Sequence, residues 1–285
     1  MPRRDFPAER GTEHPSRLLS RLGLSPRKKL GQNFLHDRNV AEKIVSLALS
    51  MGTPYLEIGP GLGALTDLLA EERQKTVAVE VDRGFAAYLR NRYEGSTVEV
   101  VEADFLGLPE EEWKSRFPDG GTVVGNLPYS VSSPILLRLM ELRRIFPRAV
   151  LMLQKEVVER LCAPPGGKKY GILSVYLAVL SGIREEFTVR RTCFTPSPDV
   201  DSAVVSVRFR SGVSDETFLR LQAVVRAAFA QRRKTLRNAP VPFLPGGTQA
   251  WCGLLAEAGI DPSSRAETVP PDRFLRLARL AGPEL

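Results

Sequence analysis

The sequence predicts an α/β fold in which a doubly wound sheet carries helices on both faces and a small all-helical domain follows at the C-terminus. Three observations lead to this prediction. A short apolar strand at 54–58 runs into the glycine-rich turn 59–63 and then a helix over 62–72, which is how a nucleotide-binding doubly wound fold begins. Further apolar runs alternate with helical patterns. From residue 214 onward only helical patterns occur, which indicates a separate helical domain.

The predicted strands are short apolar runs bounded by glycine, proline or polar residues. They lie at 54–58, 76–81, 97–101, 122–124, 149–154, 183–190 and 203–210. The last two are expected to form a hairpin-like pair that closes one edge of the sheet. The predicted helices have apolar residues at helical spacing, and Asp37 is the expected N-cap of the first. They lie at 37–50, 62–72, 130–146, 155–162, 170–181, 215–229, 248–258 and 272–281.

Composition limits the classes of protein that need to be considered. With 43% hydrophobic and 26% charged residues, the 285-residue chain can bury a core. A net charge of +7 favours a polyanionic partner, although many basic proteins bind none. The few cysteines and histidines show no metal-ligand spacing, so we expect no metal and a reducing, cytoplasmic setting. The longest apolar run, 172–180, is too short to span a membrane. Residues 1–25 lack an apolar core and are expected to be a flexible tail.

The glycine turn is expected to bind a nucleotide-like ligand. Gly59 and Gly61 let the backbone approach a ligand closely. Glu80 follows 21 residues after Gly59, near the end of the next strand, where its carboxylate can accept both hydroxyls of a ribose. With Ala64, the glycines also match a dinucleotide-binding pattern, so the turn alone does not separate a nicotinamide enzyme from a methyltransferase. Glu57 before the turn and a proline within it favour a methyltransferase.

Two other segments are candidates for contact with the same ligand. Asp104 follows the third strand and is placed to accept from an adenine amine, with Phe105 near the ring. A solvent-side acid and a core phenylalanine are an equally good interpretation. The basic, polar and then apolar segment 27–35 is either a strap on the core or a lid in which Asn33 and Leu35 close over a cofactor.

Asn126, Leu127, Pro128 and Tyr129 follow the fourth strand and suit chemistry on an exocyclic amine. Such an amine is a poor nucleophile because its lone pair is delocalised into the base. The Asn126 side-chain oxygen and the Leu127 carbonyl can accept its two hydrogens and so free the lone pair. Pro128 keeps Leu127 extended, and Tyr129 offers a flat face for a flipped-out base. An ordinary Asn-X-Pro turn is the alternative.

Two later segments have both a functional and a structural interpretation. The loop 194–198 is rigid because of its two prolines, so Phe194 either forms the second face of an aromatic clamp opposite Tyr129 or anchors the loop in the core. The run 231–238 (QRRKTLRN) is the densest basic stretch in the chain. A charged run is usually a solvated face. Beside a base-modifying domain we favour contact with phosphate.

Taken in order, five motifs resemble those of the ribosomal small-subunit (16S) rRNA adenine dimethyltransferases. They are 29–35 (KLGQNFL), 57–63 (EIGPGLG), 126–129 (NLPY), 194–198 with 200–205 (FTPSP and VDSAVV), and 231–238. The resemblance runs from about residue 26 to the C-terminal helices. It implies a Rossmann-like class I methyltransferase sheet in an S-adenosylmethionine-dependent domain, 26–211, and a helical domain with RNA and ribosome contacts, 212–285.

The resemblance also implies an activity. S-adenosylmethionine would donate two methyl groups to the N6 amine of each of two adjacent adenosines near the 3′ end of 16S rRNA, in the assembling small subunit. We expect a monomer without membrane contact. The expected catalytic residues are Asn126, Leu127, Pro128, Tyr129 and Phe194. The expected cofactor-binding residues are Asn33, Leu35, Gly59, Gly61, Glu80, Asp104, Phe105 and Asn126. The expected RNA-binding residues are Arg27, Lys28, Lys29, Arg232, Arg233, Lys234 and Arg237.

Three alternatives remain open on the sequence. A sister enzyme that methylates one adenosine of large-subunit rRNA shares the cofactor motifs, but the 231–238 run and Leu127 favour the small-subunit enzyme. A nicotinamide oxidoreductase would need a catalytic His, Lys or Tyr arrangement near the strand ends, and none stands out. A ribosome-assembly or transcription factor that keeps the fold is opposed by the intact Asn126–Tyr129 motif.

Overall fold

The computed structural model describes residues 13–27, 31–231, 233–242 and 244–282. By their contacts these residues form two compact units. The first contains the described residues up to Lys155 together with Glu185–Val207. The second contains Glu156–Arg184 together with the described residues from Arg208 onward.

The predicted domain division placed 156–184 with the sheet, whereas this segment belongs to the second unit. Its helix at 172–180 is apolar on nearly every position. An all-apolar pattern indicates that a helix is buried but not which neighbours cover it. The predicted boundary at 211 lies close to Arg208, where the chain enters the second unit for the second time.

The strands of the described residues form one large sheet and one short ribbon. They are β1 (Phe34–Leu35), β2 (Tyr55–Ile58), β3 (Thr76–Glu80), β4 (Val98–Glu102), β5 (Thr122–Asn126), β6 (Arg148–Gln154), β7 (Ser181–Val189), β8 (Phe194–Thr195) and β9 (Ser202–Phe209). The sheet has the order β4-β3-β2-β5-β6-β9-β7, and β1 pairs with β8. The predicted strands are confirmed, and β7 and β9 are neighbours at the sheet edge as expected. The β1–β8 ribbon was not predicted.

The five strands from β4 to β6 are parallel, and β2 lies at their centre. The chain adds β3 and β4 on one side of β2 and then β5 and β6 on the other. In such an open sheet, ligands bind at the carboxyl ends of the strands where the order reverses, which here is between β2 and β5. The fold therefore places the glycine turn after β2 beside Asn126 at the end of β5.

The helices are α1 (Pro15–Leu22), α2 (Arg38–Leu49), α3 (Ala64–Glu71), α4 (Arg83–Arg92), α5 (Glu110–Arg116), α6 (Ser132–Glu141), α7 (Lys155–Leu161), α8 (Ile172–Leu180), α9 (Asp215–Phe229), α10 (Gly247–Glu257) and α11 (Pro271–Leu280). Asp37 caps α2 as predicted, because its side chain accepts the Val40 N–H at 3.1 Å. The sequence pattern missed α4 and α5. Each buries few apolar residues, Phe85, Ala86 and Leu89 in α4 and Trp113 in α5, so the apolar periodicity is weak.

The prediction of a flexible tail over 1–25 is wrong for the residues that form α1. Pro15 begins this helix, and Gly23 ends it in the left-handed conformation with φ of 65°. Pro15, Leu18 and Leu19 are buried. The three apolar side chains lie on one face of a short helix. Because polar and charged residues surround them in the sequence, their helical spacing is a weak pattern. Residues 1–12 lie outside the described residues.

The second unit is helical apart from the strand ends that enter it. Trp251 of α10 is fully buried, and its indole N–H donates to the Leu236 carbonyl at 2.9 Å. Leu236 is itself buried, so this contact fixes the middle of the 231–238 run. Among all described residues, no helix is both long and apolar enough to cross a membrane.

A buried ionic network lies under the glycine turn. Arg92 donates to both oxygens of Asp67, at 2.9 and 2.7 Å, and the Tyr93 hydroxyl donates to the same carboxylate at 2.6 Å. Gly63 precedes α3 with φ of 90°, and a Cβ there would lie 2.6 Å from the Tyr93 hydroxyl oxygen. The network therefore requires glycine at this position.

We expect Gly63→Ala to lower the free energy of unfolding by roughly 3 kcal/mol, because it adds both backbone strain and a clash with a held hydroxyl. Gly95→Ala is the matched control: Gly95 also has positive φ, 73°, but a Cβ there meets no atom within 4 Å. We expect Gly95→Ala to lower the free energy of unfolding by about 1–2 kcal/mol, from backbone strain alone. Urea unfolding measures both variants, and equal losses would contradict the role of the Tyr93 contact.

Candidate functional site

A cavity opens at the carboxyl ends of β2, β3 and β5. Three segments line it. They are residues 31–35, which we call the strap, residues 59–65 of the glycine turn and early α3 with the exception of Gly63, and residues 126–129. Glu57, Glu80 and Val81 complete the lining. The fold thus brings together the lid, glycine and amine motifs, which are far apart in sequence.

The strap lies directly over the amine motif. Its last two residues form β1, which pairs antiparallel with β8 in the register Phe34 with Thr195 and Leu35 with Phe194. The Asn33 carbonyl accepts a hydrogen bond from Asn126 Nδ2 at 3.0 Å. A Cβ on Gly31 would lie 3.6 Å from Pro128 Cβ, so the strap backbone is also close to the proline. Strap and motif therefore form one connected wall of the cavity.

Asn126 and Leu127 both line the cavity, and Asn126 offers an acceptor there. Because Asn126 Nδ2 is occupied by the strap, Oδ1 is the end of the amide left for a ligand. No hydrogen bond to Oδ1 is formed by the described residues. Leu127 is buried and its N–H donates to the Met152 carbonyl at 3.0 Å, which fixes the backbone at this position. Asn126 Oδ1 can therefore accept a hydrogen from a bound group.

Tyr129 is held by its hydroxyl. The Tyr129 oxygen lies 2.8 Å from Ser202 Oγ, and Ser202 is fully buried at the start of β9. Burial is the main cause that raises the pKa of Tyr129, and the hydrogen bond to Ser202 opposes it. The ring is half-buried and lines the cavity, so a planar group can stack on it.

The glycine turn brings backbone and carboxylate together. Gly59 and Gly61 have φ of 68° and 57°, and a Cβ on Gly61 would lie 3.0 Å from the Phe34 ring. Glu80 is nearly fully buried, and its oxygens accept the N–H groups of Gly61 at 3.0 Å and Asp82 at 2.9 Å. Burial nonetheless raises the pKa of Glu80. Two backbone bonds fix its carboxyl at the cavity.

Glu57 is a further lining residue, for which the sequence predicted no role at the site. It is 2% exposed, and one oxygen accepts the Thr66 hydroxyl at 2.6 Å. Burial, reinforced by Asp67 and Glu80, raises its pKa from the usual 4.5 to about 8. An acid inside an otherwise apolar strand, two residues before the turn, was the available signal.

Three predicted site residues do not line this cavity. Asp104 is exposed, and its side chain accepts the Leu106 N–H at 2.9 Å. Phe105 is buried with its ring 5.4 Å from that of Trp113. Phe194 is 3% exposed and packs in the core with Leu35. For both phenylalanines the structure favours the core interpretation over contact with a ligand.

The predicted RNA-binding residues lie in both units. In the first, Arg27 is exposed and pairs with the buried Asp82 at 3.2 Å. In the second, Arg233, Lys234 and Arg237 are exposed around the buried Leu236. Lys28, Lys29 and Arg232 lie outside the described residues.

Residues 23–281 match the family model described as ribosomal RNA adenine dimethylase. The chain belongs to this family. It is 43% identical over 272 residues to the ribosomal RNA small subunit methyltransferase A of Geobacter sulfurreducens, covering 90% of this chain and 95% of that protein. It is 45% identical over 267 residues to the protein of the same name from Syntrophotalea carbinolica, covering 90% and 97%.

Two solved structures resemble this chain. A dimethyladenosine transferase from Plasmodium falciparum superimposes with a TM-score of 0.70 and 26% identity, covering 86% of this chain and 95% of that one. The 23S rRNA methyltransferase ErmE superimposes with a TM-score of 0.63 and 27% identity, covering 87% and 99%. The predicted class I methyltransferase fold is confirmed, and the nicotinamide oxidoreductase alternative is wrong.

The raised pKa of Glu57 predicts a pH-dependent stability. The folded chain retains this proton between about pH 4.5 and 8, where the unfolded chain has lost it. The free energy of unfolding should therefore fall as pH rises through this range, by at most about 1.4 kcal/mol per pH unit from this group. Glu57→Gln should remove that part of the slope, whereas Glu94→Gln at an exposed site should not. Unfolding from pH 5 to 9 measures it, and identical slopes for wild type and Glu57→Gln would refute it.

Proposed function

We propose that the protein transfers methyl groups from S-adenosylmethionine to the N6 amines of two adjacent adenosines near the 3′ end of 16S rRNA, giving dimethyladenosines. It acts as a monomer on the assembling small subunit, in the cytoplasm. The observation that carries the proposal is the Asn126 amide, whose Nδ2 is held by the strap, at a cavity that Leu127 and the half-buried Tyr129 ring also line. The names of the curated relatives support the small subunit as the target.

The cavity fits S-adenosylmethionine. Glycines with positive φ bring backbone to the cavity, and the Glu80 carboxyl is fixed there by two N–H groups. Gly59, Gly61 and Glu80 would hold the ribose and amino-acid portions, and Asn33, Leu35 and Asn126 would cover them. The sequence resemblance implies that Asp104 would receive the adenine amine of the cofactor, although its side chain does not line the cavity. When bound, the cofactor supplies an electrophilic methyl group, because its sulfur carries a positive charge.

The acceptors give the target amine its reactivity. An N6 amine that donates both hydrogens, to Asn126 Oδ1 and the Leu127 carbonyl, is drawn toward tetrahedral geometry with a free lone pair. The strap bond fixes the Asn126 amide before the base arrives, so little reorganisation is needed. Neither acceptor is a strong base. None is required, because the amine proton becomes acidic only once the amine is alkylated.

Tyr129 supports the flipped-out base. Its hydroxyl is tied to Ser202, so the ring cannot turn away, and its face can stack on the adenine. The predicted partner face, Phe194, would have to leave the core to reach the base, since it is 3% exposed. We therefore assign base stacking to Tyr129, with Phe194 holding the loop beneath it.

The test is methyl transfer from labelled S-adenosylmethionine to unmethylated small subunits, with naked large-subunit rRNA as competitor and nucleoside mass analysis of both RNAs. We expect dimethyladenosine in the small-subunit RNA alone. Label in the large-subunit RNA would move the target to that of the sister enzyme, which the similarity to ErmE makes the specific alternative. Cofactor binding without label in either RNA would favour a non-catalytic assembly factor.

We expect Asn126→Ala to slow methyl transfer by roughly 10²-fold or more at saturating cofactor, because one preorganised acceptor is lost at the reacting amine. Single-turnover kinetics on small subunits measure the chemical step. Asn91→Ala, an exposed residue of α4, is the control and should match wild type. A near-wild-type rate for Asn126→Ala would remove the role given to this amide.

We expect the triple variant Arg233→Gln, Lys234→Gln, Arg237→Gln to bind small-subunit RNA more weakly and with a flatter salt dependence. The slope should fall by roughly one unit per lost phosphate contact. The matched control is Arg208→Gln, Arg276→Gln, Arg279→Gln, which removes equal charge from exposed sites of the same unit. Filter binding at several salt concentrations measures both, and equal slopes would show that only net charge matters.

A further inference from the structure

The helix α1 precedes the family match, which begins at residue 23, yet it packs against the wall of the cavity. Leu19 of α1 is buried in one cluster with Phe34 of the strap and Phe85 of α4. Leu24 and Leu62 pack against the same cluster. Phe34 and Leu62 line the cavity, so Leu19 lies immediately behind its lining.

Phe34 is the residue through which α1 reaches the glycine turn. Its ring is so close to Gly61 that a Cβ on this glycine would lie 3.0 Å from it. The ring also lies 5.2 Å from that of Phe85, edge to face. Phe34 is therefore held between the turn on one side and Leu19 and Phe85 on the other.

His14, the N-cap residue of α1, makes a second contact with the β1–β8 ribbon. His14 Nε2 lies 3.4 Å from Thr195 Oγ1 of β8. The His14 ring centroid also lies 5.1 Å from that of His36, which directly follows β1. Leu19 packs with Phe34 of β1 and His14 contacts Thr195 of β8, so α1 and its N-cap touch both strands of the ribbon.

We propose that α1 is part of the cofactor site and that Leu19 is a positioning residue, which holds Phe34 and the strap over the bound cofactor. The proposal rests on S-adenosylmethionine being the cofactor, as proposed above. The strap carries the Asn33 carbonyl that orients Asn126, so a loosened strap affects both the cover of the cavity and the amide. When the segment that covers a site is in place for only a fraction of the time, the apparent affinity for the ligand falls in proportion to that fraction.

The test compares Leu19→Ala with two controls. Arg17→Ala changes an exposed residue of the same helix, and Leu255→Ala opens a cavity in the core of the second unit. Calorimetry measures the affinity for S-adenosylhomocysteine, and stopped-flow mixing measures its dissociation. We expect Leu19→Ala to weaken binding by roughly three- to tenfold through faster dissociation, with both controls at wild-type affinity.

Hydrogen exchange separates positioning from general stability. In Leu19→Ala we expect faster exchange of the strap amides and a raised KM for the cofactor. At saturating cofactor we expect kcat near wild type, because bound cofactor holds the strap in place against Asn126. An unchanged affinity with only a lower melting temperature would overturn the proposal. Leu19→Val, which removes less volume, gives the same comparison if the alanine variant does not fold. Wild-type protein that bound no S-adenosylhomocysteine would refute the proposed cofactor instead.

Discussion

The hydrogen bond from Asn126 Nδ2 to the Asn33 carbonyl is the constraint on which the candidate site depends. An amide side chain has one donor end and one acceptor end, so engaging the donor decides which end meets a ligand. The bond forms only if the strap lies across the carboxyl end of β5, which requires both the sheet and the β1–β8 ribbon. In the function that we propose, cofactor cover and amine recognition would therefore depend on the same contact.

The carboxyl groups around the glycine turn show how the fold tolerates charge in a buried place. Asp67 and Asp82 have arginine partners, and Glu80 accepts two backbone N–H groups. Among the described residues Glu57 is hydrogen-bonded only to the Thr66 hydroxyl, and its pKa rises to about 8. A buried carboxylate without a cation or several donors is costly, so this one keeps its proton at neutral pH. Each of these carboxyl groups near the turn is therefore paired with an arginine, hydrogen-bonded to backbone N–H groups or protonated.

The parts of the fold that the sequence predicted are those with local signals. The strands around the turn, the Asp37 cap and the place of Glu80 follow from apolar runs and short-range chemistry. The ribbon joining Leu35 to Phe194 does not, because such a pairing depends on tertiary approach of segments far apart. For the same reason the sequence left Phe194 open between clamp and anchor. The helix α1 was missed because three buried residues among charges make a weak pattern.

The most direct measurement is a crystal structure of the protein with S-adenosylhomocysteine and adenosine bound together. We expect the cofactor between the glycine turn and the strap, with the adenine stacked on Tyr129. Its N6 amine should lie within hydrogen-bond distance of both Asn126 Oδ1 and the Leu127 carbonyl. An amine beyond reach of both acceptors, or a strap displaced from Asn126 by the cofactor, would contradict it.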